Sequence, residues 1–136
     1  MSHFVLDCSV TIAWCFEGQG SAYADSVIER LDRERAMVPS IWPLELANAM
    51  VIGERRKKIS GQEIVRCLQL VAELPITIDE TTTERALGPV LGLARDQNIS
   101  AYNAAYLELA LREGVPLATR DDGLKSAARQ LGLPLV

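Results

Sequence analysis

His3-Phe4-Val5-Leu6-Asp7-Cys8-Ser9 is the stretch from which the rest of the chain is read. A short apolar run stops at a carboxylate, which predicts a buried first strand with Asp7 at its carboxyl end. Ser9 to Phe16 then reads as a short helix, cut by Gly18 and Gly20. A strand followed at once by a helix is the opening of a parallel-sheet fold.

The remainder keeps that alternation. Ser21 to Arg35 has helical apolar spacing at Ala24, Val27, Ile28 and Leu31, and Met37-Val38 before Pro39 reads as a second short strand. Leu44 to Arg56 is helical in period, with Pro43 suited to a first turn. Ser60-Gly-Gln-Glu63 is a capping box for a helix running to about Glu73, and Thr81-Thr-Thr-Glu84 reads as another. Between them Ile76-Thr77-Ile78 predicts a strand, and Gly88-Pro89 is expected to bend the helix that Thr81 starts. Ser100 opens a helix to Arg112, ended by Gly114. Val115 to Ala118 is a strand, Asp122 to Leu131 a helix, and Leu135-Val136 an edge strand. The pattern predicts an α/β sandwich around a mainly parallel sheet, organised as a single domain over 1–136. Ligands of such sheets collect beyond the carboxyl ends of the strands.

Composition narrows the chemistry. The chain has 136 residues, 49% hydrophobic and 24% charged, which suits a globular fold rather than a disordered one. Aromatic residues are 5%, so Leu, Val, Ile and Ala must build the core. Lys+Arg 14 against Asp+Glu 18 leaves a net charge of −4, which on its own argues against a general phosphate-coating protein. His3 is the only histidine, so zinc-hydrolase clusters and Ser-His-Asp triads are poorly supported. Cys8, Cys15 and Cys67 form no CxxC pair, and their apolar neighbours read as buried reduced thiols. No apolar run approaches the roughly 18 residues of a membrane span, and Asp7 interrupts any signal-peptide core. A cytoplasmic protein is expected.

Four residues fall near one edge of the predicted sheet. Asp7 ends the first strand, and Asp121 follows the Leu117-Ala118-Thr119 strand. Glu45 lies in the first turns of its helix, flanked by Leu44, Leu46 and Ala47. Asn103 lies early in the helix that Ser100 opens. Singly, each has an ordinary role. Asp7 can cap a helix, Glu45 and Asp121 can complement helix dipoles, and Asn103 can be a polar first-turn residue. Jointly they suggest a site. Converging carboxylates repel one another unless a cation lies between them, and without His or Cys ligands that cation is Mg²⁺ or Mn²⁺. Such an ion also binds phosphates, so in-line hydrolysis of a phosphodiester by metal-activated water fits a chain without a catalytic histidine.

At these residues the sequence resembles a PIN-domain ribonuclease of the VapC toxin type. The resemblance rests on the strand-Asp7-x-Ser9 opening, Pro43-x-Glu45-x-x-Asn48, Ile99-Ser-Ala-Tyr-Asn-Ala-Ala-Tyr-Leu107, and Leu117-Ala-Thr119-Arg-Asp121-Asp-Gly-Leu124. It runs nearly end to end, from Phe4 to Val136. It implies a three-layer PIN-like sandwich, an acidic site binding Mg²⁺ or Mn²⁺, RNA cleavage, a homodimer, and inhibition by a cognate VapB-type antitoxin. By motif the site is Asp7, Glu45, Asn103 and Asp121, with Ser9 and Thr119 supporting the carboxylates by hydrogen bonds. Asp122 is a further acid beside them, more simply read as a solvated helix-start residue.

One residue departs from the family pattern. Where the family has Asp in its Tyr-Asp-Ala element, this chain has Asn103. Asn keeps an oxygen but loses a charge, which weakens Mg²⁺ affinity, and it cannot accept a proton from an attacking water. The site therefore reads as built for nuclease chemistry and impaired as written. The main rival is a non-catalytic PIN module that binds RNA or an antitoxin. A phosphotransferase with Asp7 as nucleophile is disfavoured because Ser9 stands where a second Asp is wanted. Nucleotide-binding folds are disfavoured by the lack of GxGxxG and GxxxxGK[ST].

Arg55-Arg56-Lys57-Lys58 is the one dense basic cluster, read as a solvated helix end or, alternatively, as a phosphate contact beside the cleft. Trp14 and Trp42 are too sparse for a base-stacking platform and read as core or interface anchors. The apolar-rich helices at 22–31 and 63–74 are the candidate dimer or antitoxin surfaces.

Overall fold

Phe4, Val5 and Leu6 are fully buried, the burial that a strand with neighbours on both sides and layers above and below requires. In the computed structural model, which describes residues 2–16 and 21–136, they form β1 (His3–Leu6). The sheet has four strands in the order β3-β2-β1-β4, all parallel, with β2 at Arg35–Pro39, β3 at Ile76–Asp79 and β4 at Leu117–Ala118. Leu135 adds an isolated parallel bridge to Leu117 in place of the expected last strand. Helices flank this sheet in a three-layer α/β sandwich. They are α1 (Cys8–Cys15), α2 (Ala22–Arg30), α3 (Trp42–Arg55), α4 (Gly61–Glu73), α5 (Thr82–Arg85), α6 (Leu91–Gln97), α7 (Ala101–Glu113) and α8 (Asp122–Gln130).

The strand order places the ligand crevice. From β1 the chain adds β2 and then β3 on one side, and later returns to lay β4 on the other. The reversal between β1 and β4 opens a crevice beyond their carboxyl ends, where Asp7 and Asp121 follow their strands.

Several boundaries differ from the sequence reading for identifiable reasons. The helix expected over 21–35 stops at Arg30, because Arg35 pairs with His3 and its N–H donates to Ser2 O at 3.1 Å. The second strand is accordingly longer than Met37-Val38. Ser60 and Glu63 form the expected capping box, but Thr81 does not cap its helix. Its backbone (φ −96°, ψ 0°) is not the extended one of a capping residue, and its hydroxyl donates to the Asp79 carboxylate at 3.0 and 3.1 Å. Pro89 does not merely bend a helix. Ala86–Val90 is a π-helical turn in which the Leu91 N–H reaches Ala86 O, five residues back. Gly18 and Gly20 lie outside the described residues.

The cysteine reading needs a correction. Cys8 is a buried free thiol, but Cys15 and Cys67 form a disulfide across 52 positions, with Cα atoms 5.3 Å apart. The end of α1 packs on α4, and that tertiary contact, invisible in the spacing, brings the two residues within bridging range. Trp14 and Trp42 are anchors as expected, Trp14 donating to Ala24 O at 2.8 Å and buried Trp42 to Thr11 Oγ1 at 3.2 Å. No helix among the described residues is long and apolar enough to cross a membrane.

Candidate active site

Asp7 follows β1 as the N-cap of α1 but makes no side-chain cap bond there. Its carboxylate is engaged elsewhere. Ser9 Oγ donates to Asp7 Oδ2 at 2.6 Å while accepting from the Arg120 N–H at 3.0 Å. Thr119 Oγ1 donates to the same oxygen at 2.8 Å while accepting from the Asp121 N–H at 3.0 Å. A hydroxyl carries one proton, and each backbone amide takes an acceptor position, so both protons are left to point at Asp7. The β4–α8 loop thereby fixes the carboxylate of the first strand.

The other three residues reach the same place from different elements. Glu45 is in the first turn of α3, which starts at Trp42 with Pro43 in its first two positions. Asn103 is held early in α7, its N–H donating to the Ser100 cap at 3.0 Å. Asp121 caps α8, accepting from the Leu124 N–H at 2.7 Å. Asp7, Glu45, Asn103 and Asp121 all line one open cavity of about 280 Å³, together with Cys8, Ser9, Ile12, Asn48 and Ala49. The larger apolar trough of about 650 Å³ shares Glu45 and Asn48 with it but holds neither aspartate. The acidic cavity is therefore the place for charge chemistry.

Not every residue singled out in the sequence comes to the cavity. Asp122 is exposed in the first turn of α8 and does not border it. Arg55, Arg56, Lys57 and Lys58 are exposed at the far end of α3, ten residues beyond Glu45, a helical rise of about 15 Å. That placement favours the helix-end role. Two tyrosines, in turn, escaped the sequence reading. The Tyr106 hydroxyl donates to Glu45 Oε1 at 2.5 Å, and the Thr119 N–H donates to Tyr23 Oη at 3.2 Å. The first was findable in part, because Tyr106 stands three residues after Asn103 and so shares its helix face.

The electrostatics suit a cation. Burial pushes the Asp7 carboxyl above the usual carboxylate range, against the pull of the Ser9 and Thr119 hydrogen bonds, and the charge of Asp121 pushes it further. Burial raises Glu45 as well, opposed by the Tyr106 bond and assisted by Asp7. Burial, Glu45 and Asp7 push the Cys8 thiol up to about 12, so it stays a neutral wall of the cavity. An all-oxygen donor set in mutual repulsion fits a hard divalent ion in kind. It is not a closed cage: among the described residues, no three His, Cys, Asp or Glu side chains are grouped closely enough to hold an ion. Asn103 stands where a fourth carboxylate would add its charge.

The fold has relatives among solved structures. The chain is similar to PAE2754 from Pyrobaculum aerophilum at 20% identity and TM-score 0.68, over 93% of this chain and 84% of that one. It is similar to VapBC2 from Rickettsia felis, solved bound to a DNA fragment from their promoter, at 13% identity and TM-score 0.69, over 98% and 97%. It is also similar to FitAcB from Neisseria gonorrhoeae at 16% identity and TM-score 0.62, over 97% and 95%. At these identities the likeness is one of fold. No curated protein matches the chain. The PIN domain family matches residues 4–130, the span from the first strand through the last helix that encloses all four cavity residues. The chain belongs to the PIN domain family.

Proposed function

We propose that this chain, acting as a single PIN domain over 1–136, is the VapC-type toxin of a VapBC-type toxin–antitoxin pair, a cytoplasmic metal-dependent endoribonuclease. The observation that carries the reading is the meeting of Asp7, Glu45, Asn103 and Asp121 on one cavity beyond β1 and β4. Structural relatives support it: a toxin–antitoxin complex from Klebsiella pneumoniae, and VapBC2 and FitAB, each solved bound to a DNA fragment.

Asp7, Glu45 and Asp121 are the residues that would hold Mg²⁺ or Mn²⁺, with the Asn103 side-chain oxygen as a neutral donor. When bound, the ion supplies the positive charge that draws a phosphodiester into an acidic cleft and activates water for in-line attack. Ser9 and Thr119 keep Asp7 Oδ2 in place, so that the carboxylate does not need to be ordered when substrate arrives. Asn103 lowers the negative charge of the site by one and cannot take up a proton, which weakens both ion binding and proton removal. The protein works as a homodimer bound by a cognate antitoxin, and exposed Val65, Leu68 and Leu70 on α4 make the 63–74 helix the favoured partner surface.

The test is RNA cleavage in Mg²⁺ and Mn²⁺ by this chain and by Asn103→Asp. Slow cleavage that Asn103→Asp accelerates supports the reading. Failure of both proteins to cut any cellular RNA sinks it. Asn103 also favours a second reading, a non-catalytic PIN module that binds RNA or an antitoxin, which predicts binding without cleavage by either protein.

A further inference from the structure

Tyr106 is the largest of the fully buried side chains, and its hydroxyl lies among acids rather than among polar partners of its own helix. It donates to Glu45 Oε1 at 2.5 Å across 61 positions, linking the interior of α7 to the first turn of α3. A phenol carries one proton, and the geometry puts it on the bond to Glu45, so the hydroxyl acts here as a donor. Glu45 needs such a partner. Its side chain has three rotatable bonds and stands half-buried between two open spaces, the acidic cavity and the apolar trough lined by Leu44, Val51 and Tyr102. An unheld glutamate loses rotamer freedom when it is fixed in one place.

We propose that Tyr106 is a positioning residue that holds the Glu45 carboxylate at the acidic cavity, where it would help to hold the ion. The metal arm of this proposal rests on the nuclease reading above; the positioning arm does not. Tyr106 is fully buried and does not border the cavity. It acts through Glu45, and α7 thus serves the cavity twice, with Asn103 at the rim and Tyr106 beneath it.

The experiment is Mn²⁺ titration, read as free Mn²⁺ by electron paramagnetic resonance, on Tyr106→Phe, Glu45→Gln and the double variant, with melting temperature as the check on folding. Tyr106→Phe keeps the ring and removes the donor. It should weaken Mn²⁺ binding by roughly 10- to 100-fold, the usual loss when a partner of a metal ligand is removed. In the Glu45→Gln background the same change should have no further effect. Equal weakening in both backgrounds, or none in either, overturns the metal arm. A crystal structure of Tyr106→Phe reads positioning without metal. A Glu45 carboxylate turned toward the trough supports the proposal, and one that has not moved overturns it. Absence of Mn²⁺ binding by both the unsubstituted chain and Asn103→Asp counts against the nuclease reading, and the crystal structure still decides the role of Tyr106.

Discussion

Thr119 and Asp7 stand 112 positions apart and are joined in the interior by a 2.8 Å hydrogen bond. The same hydroxyl accepts from the Asp121 N–H, so one small side chain ties the first strand to the loop after the last. Thr119→Val keeps the shape and removes both bonds. It should destabilise the protein by about 1–3 kcal/mol, because a buried carboxylate oxygen and a loop amide each lose a partner. Urea unfolding checks this. Ser9→Ala added to Thr119→Val should cost more than the sum of the two single changes, since both hydroxyls serve Asp7 Oδ2.

Asp7→Asn should raise stability while removing a carboxylate that the proposed nuclease activity requires. The Asp7 carboxyl is raised by burial, so the folded state binds its proton more tightly than the unfolded chain does. For a raised acid, stability is greatest at low pH and falls as pH climbs from the unfolded value toward the folded one. At pH 7 without divalent ions the charge is a burden, and its removal should add about 1 kcal/mol, roughly 3–5 °C in Tm. Calorimetry across pH checks the sign. A Tm lowered by Asp7→Asn at pH 7 would contradict the argument.

Asp79 should behave in the opposite sense. Burial alone would raise its carboxyl, but two Arg112 hydrogen bonds at 2.8 and 3.3 Å and the Thr81 hydroxyl hold it below the usual range. A lowered acid gives stability that is present above its unfolded value and is lost as pH falls through the folded one. Arg112 also pairs with buried Glu108, whose Oε1 Arg85 contacts as well. Arg112→Met should cost about 2 kcal/mol at pH 7, and less in acid once Asp79, whose carboxyl is held below the usual range, takes up its proton. Acid unfolding curves of the two proteins should therefore converge at low pH.

Gly53 sits where α3 meets α1. A Cβ there would lie 2.5 Å from Phe16 Cε2 and 3.0 Å from Ile59 Cγ2. Phe16 is buried, so its ring has little room to retreat. Gly53→Ala gains helix propensity of about 1 kcal/mol yet should still be net destabilising, because overpacking costs about 1–3 kcal/mol. An increase in the urea midpoint would refute the close approach.

The amino-acid sequence by itself determined the alternation of strands and helices, the burial of Phe4-Val5-Leu6, the Ser60 and Ser100 caps, and the four cavity residues. These are set by local chemistry: period, capping and the position of an acid after a strand. Tertiary structure decided what depends on remote neighbours. Arg35 left its helix because His3 offered a strand partner. Thr81 does not cap because its backbone is not extended and its side chain lies on Asp79. Cys15 and Cys67 became bridged because α1 packs on α4. Tyr106 became the partner of Glu45 because α7 and α3 meet beneath the cavity. Spacing along a chain records which face a residue occupies, whereas its partner depends on which faces meet, and that is fixed only when the whole core closes.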